Sequence, residues 1–335
     1  MPPPPVPPAT PKNNKRRKTA AETVTPTKPP PLTPTPSAVK IISSSSPMQP
    51  LTPSQTEPRP AEPHATNAPL HTPEGSRIVA YPPNGVIDAA ANKASLMLPT
   101  TTTETLLKEA CAHLIKIDPK LTTVIEKHHC KLFSPEGLQE EIDPFRSLVS
   151  GIMAQQVSGA AAKSIKNKFI ALYPSCTNAT HPNVFPSPHE VAASDVSFLR
   201  TAGLSQRKAE YVQGLAEKFA AGELSAEMLA RASDEEVMEK LVAVRGLGRW
   251  SVEMFMCFAL KRMDVFSTGD LGVQRGMAAY MGRDVGKLKA KGGKWKYMGE
   301  KEMLEISEKF TPYRTLFMWY MWRIEDVDID AIQGD

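Results

Sequence analysis

Apolar residues recur every three or four positions from Thr102 onward, and this spacing predicts amphipathic helices. Short polar links separate the apolar stretches, and many of them carry a helix N-cap residue or a helix-ending glycine. Asp143-Pro144 has the form of a helix start, while Ser187–Glu190 and Ser233–Glu236 have the form of capping boxes. No convincing strand alternation follows residue 130. The pattern predicts an all-α bundle of about ten helices.

The first 100 residues differ in composition from the rest of the chain. They hold 24 of the 32 prolines and one aromatic residue, Tyr81. Such a stretch buries too little apolar surface to offset the entropy of ordering it. We therefore predict that residues 1–100 form a disordered Pro/Ser/Thr-rich tail and that residues 101–330 form one globular domain.

The tail also carries a basic cluster, Lys12–Lys18, of the kind that directs nuclear import. This cluster predicts a nuclear protein. The alternative interpretation is a solvated run of charges that contacts nucleic acid only loosely.

Charge is divided unevenly between the two regions. The tail holds ten Lys and Arg against five Asp and Glu, which gives it a net charge of +5. The whole chain has a net charge of +4. The remainder, with 30 basic and 31 acidic residues, is about neutral, so a nucleic-acid surface must be a local patch. The four cysteines form no C-x-x-C pair, and no apolar run reaches transmembrane length. We expect no metal site and no membrane partner.

A candidate anion site lies in the stretch Leu241–Asp270. There the sequence passes from one predicted helix through a Gly-Leu-Gly turn into another, and a helix N-terminus can bind a phosphate through its backbone N–H groups. The proposed DNA-binding hairpin consists of Arg245, Gly246, Leu247, Gly248 and Arg249. An ordinary turn whose glycines only end helices is the alternative interpretation.

Two further residues of this stretch are candidates for chemistry. Trp250 follows the turn, where a large aromatic side chain either stacks on a ligand or packs in the core. Asp270 lies near the start of a predicted helix, Leu271–Met281, where the helix dipole favours a negative charge. A plain N-cap is the alternative interpretation of Asp270.

Three other segments add to the hairpin and its trailing aspartate: Pro144–Ser158, Ala202–Ala209 and Thr311–Arg323. Together these parts resemble a known family. The chain is similar to the helix-hairpin-helix glycosylase superfamily of DNA base-excision enzymes, in the branch of the inducible 3-methyladenine DNA glycosylases. The resemblance covers about residues 103–324 in consistent order.

The resemblance implies a reaction and residues that perform it. Enzymes of this family flip a damaged nucleotide out of the duplex and cleave its N-glycosidic bond. Asp270 matches the catalytic carboxylate, which stabilises the positive charge that develops on the sugar. Gln155 and Gln156 match the turn that fills the gap in the duplex. Two glutamines that only cap a helix end are the alternative interpretation.

Other positions bear on the kind of glycosylase. Trp250 stands where bifunctional relatives carry a nucleophilic lysine, so the resemblance implies a monofunctional enzyme. Trp250, Met254 and Tyr313 match the pocket for the flipped base, and Met254 replaces a tyrosine of the bacterial enzyme. An electron-poor alkylated purine stacks well on such aromatic rings. Trp319 and Trp322, in contrast, are expected to pack in the core.

A basic loop between two predicted helices provides a second candidate for contact with the DNA backbone. A solvated loop is the alternative. The loop lysines are Lys289, Lys291, Lys294 and Lys296. We expect a monomer that acts on double-stranded DNA with alkylated bases and needs no cofactor. A monovalent cation at the carbonyls of the hairpin is a family-level option that the residues leave open.

Two competing functions stay open at this point. A lyase-type glycosylase for oxidised bases is disfavoured, because Trp250 stands in the lysine position. A non-catalytic helix-hairpin-helix module that binds DNA would require neither Asp270 nor an aromatic pocket.

Overall fold

The computed structural model describes residues 58–72, 78–80, 101–177, 184–289, 295 and 297–324. These residues form sixteen α-helices, three 3-10 turns and one two-stranded hairpin, so the predicted helical class is confirmed. The strands are β1 (Leu70–His71) and β2 (Ile78–Val79), which pair antiparallel. The 3-10 turns are Pro119–Leu121, Lys131–Phe133 and Glu308–Phe310. The helices are α1 Leu106–Ile117, α2 Thr122–Lys127, α3 Pro135–Gln139, α4 Pro144–Ala154, α5 Gly159–Ala171, α6 Pro174–Thr177, α7 Pro188–Ala192, α8 Val196–Arg200, α9 Gln206–Ala220, α10 Ala226–Arg231, α11 Asp234–Val242, α12 Arg249–Phe258, α13 Leu271–Tyr280, α14 Val285–Lys289, α15 Glu300–Ser307 and α16 Arg314–Ile324.

Local side-chain caps fix the starts of several helices. Both predicted capping boxes, at Ser187 and Ser233, are present with their reciprocal hydrogen bonds. Asp143 caps α4 and accepts a hydrogen bond from the Arg146 backbone N–H at 3.0 Å. Asp118 caps a 3-10 turn in the same way. Helix starts were therefore predictable, because these signals act over three or four residues.

The structure corrects one part of the predicted disordered tail. Residues 58–72, which we call the N-terminal strap, are ordered and pack on the domain. Ala61, Ala68 and Leu70 of the strap are fully buried in the core. The prediction missed this segment because it used the average composition of 100 residues, and the strap has only a few apolar side chains. The boundary at residue 100, and the disorder of those tail residues that the structure does not describe, stay predictions.

Buried polar groups attach the N-terminal strap to the segment that follows α12. Asn67 Nδ2 donates to the carbonyl of Lys261 at 3.0 Å. The fully buried guanidinium of Arg262 donates to Thr66 Oγ1 at 3.2 Å and to Asp234 Oδ1 at 2.6 Å. A buried charge is costly unless it is paired in this way. The strap thus satisfies donors and acceptors that would otherwise lie unpaired beside the predicted helix hairpin.

The predicted helix hairpin is formed by α11 and α12. Its turn needs glycine at Gly246, where φ is +94° and an added Cβ would lie 2.3 Å from the ring of Tyr211. Leu247 is buried, and Gly248 is the N-cap residue of α12. Side chains on α9 thus determine how closely the turn approaches the domain.

Helices α13 and α16 approach each other closely. A Cβ at Gly276 would lie 1.9 Å from the carbonyl oxygen of Met321, well inside van der Waals contact. A glycine at this position therefore allows the two backbones to come together. This contact therefore sets the distance between Asp270, which directly precedes α13, and the last turn of α16.

We expect Gly276→Ala to lower the free energy of unfolding by about 1–3 kcal/mol, because the added methyl group overpacks the contact between α13 and α16. Gly214→Ala is the matched control, since Gly214 lies inside α9 and an added Cβ meets nothing within 4 Å. The control should be neutral or stabilise by up to about 1 kcal/mol. Urea denaturation of both variants measures the difference, and equal stabilities would contradict the packing assignment.

Candidate active site

Asp270 is a buried carboxylate that accepts three hydrogen bonds. It is the N-cap residue of α13, and its Oδ1 accepts from the backbone N–H of Val273 at 2.8 Å. Oδ1 also accepts from Trp322 Nε1 at 2.9 Å, and Oδ2 accepts from Trp250 Nε1 at 2.9 Å. Only 5% of Asp270 is exposed. The N-cap interpretation and the catalytic interpretation are therefore compatible, since the same side chain can serve in both.

The hydrogen bonds fix the orientation of the carboxylate. An indole Nε1–H can only donate, so both tryptophan contacts require an acceptor oxygen on Asp270. A carboxylate offers about four lone-pair positions, of which two on Oδ1 and one on Oδ2 are used. Among the described residues, no donor occupies the remaining acceptor position on Oδ2. The arrangement thus holds an oriented carboxylate that can still accept one hydrogen bond from a ligand or water.

Trp322 was expected to belong to the core, and the structure gives it a second role. It is 3% exposed and its ring stacks on Phe258 with centroids 5.7 Å apart. It also reaches Asp270 because Gly272 leaves room, since a Cβ there would lie 2.8 Å from Trp322 Cδ1. The sequence feature that could have indicated this contact is Gly272, two residues after Asp270. Which tryptophan of α16 reaches the acid depends on tertiary packing.

Trp250 connects the candidate carboxylate with the predicted DNA wedge, Gln155 and Gln156, which would fill the gap that the flipped nucleotide leaves. Its half-buried ring packs against Ala154 and Ala162, and Val157 packs on the same two residues. The indole therefore spans the space between Asp270 and the turn that follows α4.

The other two predicted pocket residues, Met254 and Tyr313, have different surroundings. Met254 is fully buried one turn beyond Trp250, so it forms part of the packing behind the site. Tyr313 precedes α16 and makes an edge contact with His113, with ring centroids 5.2 Å apart. The structure thus brings together Trp250, Asp270 and Trp322, while Met254 and Tyr313 stay predictions for the pocket.

The hairpin presents two arginines. The exposed Arg245 guanidinium lies 5.8 Å from the ring centroid of Tyr211. The Arg249 side chain is 75% exposed, and its Nε donates to Glu253 Oε1 at 2.9 Å. Glu253 itself is buried, and burial raises the pKa of its carboxyl, partly offset by the Ser267 hydroxyl and by Arg249. Glu253 gave no signal in the sequence apart from its spacing four residues after Arg249.

The predicted wedge residues differ in their surroundings. Gln155 is tethered, because its Nε2 donates to the carbonyl of Gly246 at 2.8 Å. Gln156 is exposed and has a left-handed backbone with φ of +58°, which is uncommon for a residue other than glycine. Of the two predicted wedge residues, Gln156 is therefore the one with an exposed side chain, while Gln155 connects the turn to the hairpin.

The predicted basic loop lies largely outside the described residues. Lys291, Lys294 and Lys296 are not described, and Lys289 ends α14 without a described side chain. Its contribution to DNA binding stays a prediction.

Groups that could hold a metal ion were sought among the described residues. Within those residues, no cluster of three or more His, Cys, Asp or Glu side chains has a suitable arrangement. None of the helices in the described part is long and apolar enough to cross a membrane. A cavity of about 420 Å³ lies at the C-terminal end of α13, beside Asp118 and Tyr280. It lies roughly 14 Å along the helix axis from Asp270 and contributes nothing to the site.

Comparison with known proteins provides independent information on the family of this chain. Residues 149–291 match the family described as HhH-GPD superfamily base excision DNA repair protein. The chain is 34% identical over 249 residues to the DNA-3-methyladenine glycosylase of Saccharomyces cerevisiae, which covers 67% of this chain and 81% of that protein. It is 31% identical over 192 residues to DNA-3-methyladenine glycosylase 1 of Schizosaccharomyces pombe, covering 57% of this chain and 76% of that protein.

Two solved structures are similar in fold. The crystal structure of a DNA-3-methyladenine glycosidase from Bacillus halodurans has a TM-score of 0.51 and 28% identity, and covers 67% of this chain and 93% of that one. The Schizosaccharomyces pombe 3-methyladenine DNA glycosylase Mag1, solved in complex with abasic DNA, has a TM-score of 0.50 and 27% identity. That match covers 64% of this chain and 95% of Mag1. On these matches, and on the hairpin and carboxylate that it carries, the chain belongs to the HhH-GPD superfamily of base excision DNA repair proteins.

Proposed function

We propose that this chain is a monofunctional DNA glycosylase that flips alkylated purines of the 3-methyladenine type out of double-stranded DNA and hydrolyses their N-glycosidic bond. The observation that carries this proposal is the buried Asp270 carboxylate, oriented by the indoles of Trp250 and Trp322. The family and the names of the similar proteins support the same reaction.

The chemistry follows from the charges. As the bond between C1′ and the base nitrogen breaks, the base leaves with the electron pair and the sugar becomes positively charged. A fixed carboxylate nearby stabilises this charge in a water-poor site, where the interaction is stronger than in bulk water. Water then attacks C1′ and forms the new C–O bond. The open acceptor position on Asp270 Oδ2 can orient that water and accept the proton that it loses. An alkylated purine is a good leaving group, so little acid catalysis is needed.

The same geometry disfavours the two alternative functions. A lyase-type glycosylase needs an amine nucleophile, and Trp250 occupies the position where the family places it. A non-catalytic DNA-binding module would need Asp270 only as a helix cap, and it would not need the two indoles that orient the carboxylate. The exposed Arg245 and Arg249 and the backbone of the Gly246 turn are suited to DNA phosphates, which supports DNA as the partner.

We also infer that the protein works in the nucleus as a monomer and without a cofactor. The basic cluster Lys12–Lys18, which lies outside the described residues, supports nuclear import. No step of the proposed reaction uses a cofactor. The carbonyls of Val244 and Gly246 in the hairpin turn each accept one hydrogen bond and keep a second lone pair, so a monovalent cation there stays compatible with the structure. Sedimentation velocity of the full chain would test the monomer, and a dimer would contradict it.

Asp270→Asn should retain binding to duplex DNA and lower excision by at least about a hundredfold, because it removes the charge opposite the sugar cation. The measurement is strand breakage of dimethyl-sulfate-treated duplex DNA after incubation with enzyme and then alkali. Asp284→Asn is the control, since the exposed Asp284 also accepts a backbone N–H and lies outside the site. Breaks that form without alkali, or a borohydride-trapped adduct of the wild type, would indicate a lyase instead.

Trp322→Phe should lower single-turnover excision about tenfold to a hundredfold with little change in DNA affinity. The ring can still stack on Phe258, but Asp270 loses one charge-assisted hydrogen bond of about 1.5–3 kcal/mol. Trp319→Phe is a close control, because Trp319 is buried in the same helix and its Nε1 has no partner among the described residues. Equal rates for the two variants would refute the orienting role of Trp322.

Alanine replacement of the basic residues in Lys12–Lys18 should abolish nuclear accumulation of the full chain fused to a fluorescent protein, because import receptors recognise clustered positive charge. Fluorescence microscopy measures the nuclear fraction. The control replaces Lys28 and Lys40, two isolated lysines of the same region. Unchanged nuclear accumulation of the Lys12–Lys18 variant would overturn the assignment of the cluster.

A further inference from the structure

Lys208 lies in the first turn of α9, in the segment Ala202–Ala209 to which the proposed mechanism assigns no role. Its Nζ donates to the carbonyl of Met153 at 2.8 Å and to the carbonyl of Gln155 at 2.5 Å. Both carbonyls belong to the C-terminal end of α4, where the last carbonyls of a helix lack partners within it. An ammonium group there satisfies the carbonyls and complements the negative end of the helix dipole.

The turn that Lys208 contacts is the one that carries the wedge residue. Gln156 follows directly, is exposed, and has the left-handed φ of +58°. A residue with a Cβ adopts this conformation only when its surroundings enforce it. Two contacts do so here: Lys208 holds the carbonyls before Gln156, and Gln155 Nε2 bonds to the carbonyl of Gly246.

The same face of α9 also supports the hairpin. Tyr211, one turn after Lys208, has its ring against Gly246 and beneath the guanidinium of Arg245. One helix that does not itself carry the candidate carboxylate therefore touches both elements that are proposed to contact DNA.

We propose that Lys208 is a positioning residue for base extrusion: its ammonium fixes the turn after α4 so that Gln156 is presented to the duplex. The inference rests on the proposed function, because a wedge matters only if a nucleotide is flipped. It predicts that Lys208 contributes most when extrusion is most costly. Extrusion costs less free energy from a mismatch than from a complete base pair, so a mismatch should relieve the need for the wedge.

The test compares single-turnover excision of one 7-methylguanine from two duplexes, one with cytosine opposite the lesion and one with a mismatched thymine. For the full-length wild type and each variant, the ratio of the two rates is measured. Lys208→Met should lower excision about tenfold in the paired duplex and less than about threefold in the mismatched one. Lys208→Arg should restore part of the loss, since a guanidinium can also donate to both carbonyls.

Two further variants make the test specific. Gln156→Ala should show the same preference for the mismatch, and the double variant should show no added defect if both changes act through one turn. Lys218→Met is the control on the same helix, because the side chain of Lys218 is 40% exposed, pairs with Glu223 at 2.5 Å and lies away from the turn after α4. A partly unfolded variant would lose both rates equally, so the ratio separates positioning from stability.

The outcomes separate this inference from the proposed function. If the wild type excises nothing from either duplex, the proposed function fails for this substrate class. If the wild type is active and Lys208→Met matches it, or loses both rates to the same extent, the positioning role of Lys208 is overturned.

Discussion

The structure depends on keeping a buried carboxylate oriented and paired. At 5% exposure, Asp270 has lost most of the water that would solvate its charge, and burial of an unpaired charge is expensive. Its three donors come from the first turns of α12 and α13 and from the last turns of α16. Because the three donors meet at one carboxylate, their hydrogen bonds fix the distances among these helices. The glycines at 272 and 276 follow from this constraint, because a side chain at either position would push α16 away.

A second constraint concerns the geometry of the proposed DNA contacts. The turn after α4 and the hairpin turn lie far apart in sequence, yet Gln155 bonds directly to Gly246 across them. Lys208 and Tyr211 support the two turns from the same face of α9. The proposed grip on the DNA backbone and the proposed insertion of Gln156 into the base stack therefore share one support, α9.

Sequence alone predicted what short-range signals determine. Helix periodicity and the capping boxes at Ser187 and Ser233 identified the helical class, and the hairpin with its trailing Asp270 identified the family. Long-range packing explains the misses. Trp319 and Trp322 lie on one apolar helix, and only the approach of α13 decides which indole reaches Asp270. The N-terminal strap was missed because its apolar residues are few within a proline-rich region.

The charge distribution explains how a nearly neutral domain can bind a polyanion. Arg249 is exposed, but its Nε is already bonded to the buried Glu253, so the pair adds little net charge. The terminal nitrogens of the guanidinium can still donate to a phosphate in a fixed direction, which favours one register on the duplex. Long-range attraction from the described domain is correspondingly weak. Binding by the described domain should therefore depend on directional hydrogen bonds at the hairpin more than on counterion release. The predicted basic loop and the basic residues of the N-terminal region would supply most of the salt-sensitive part.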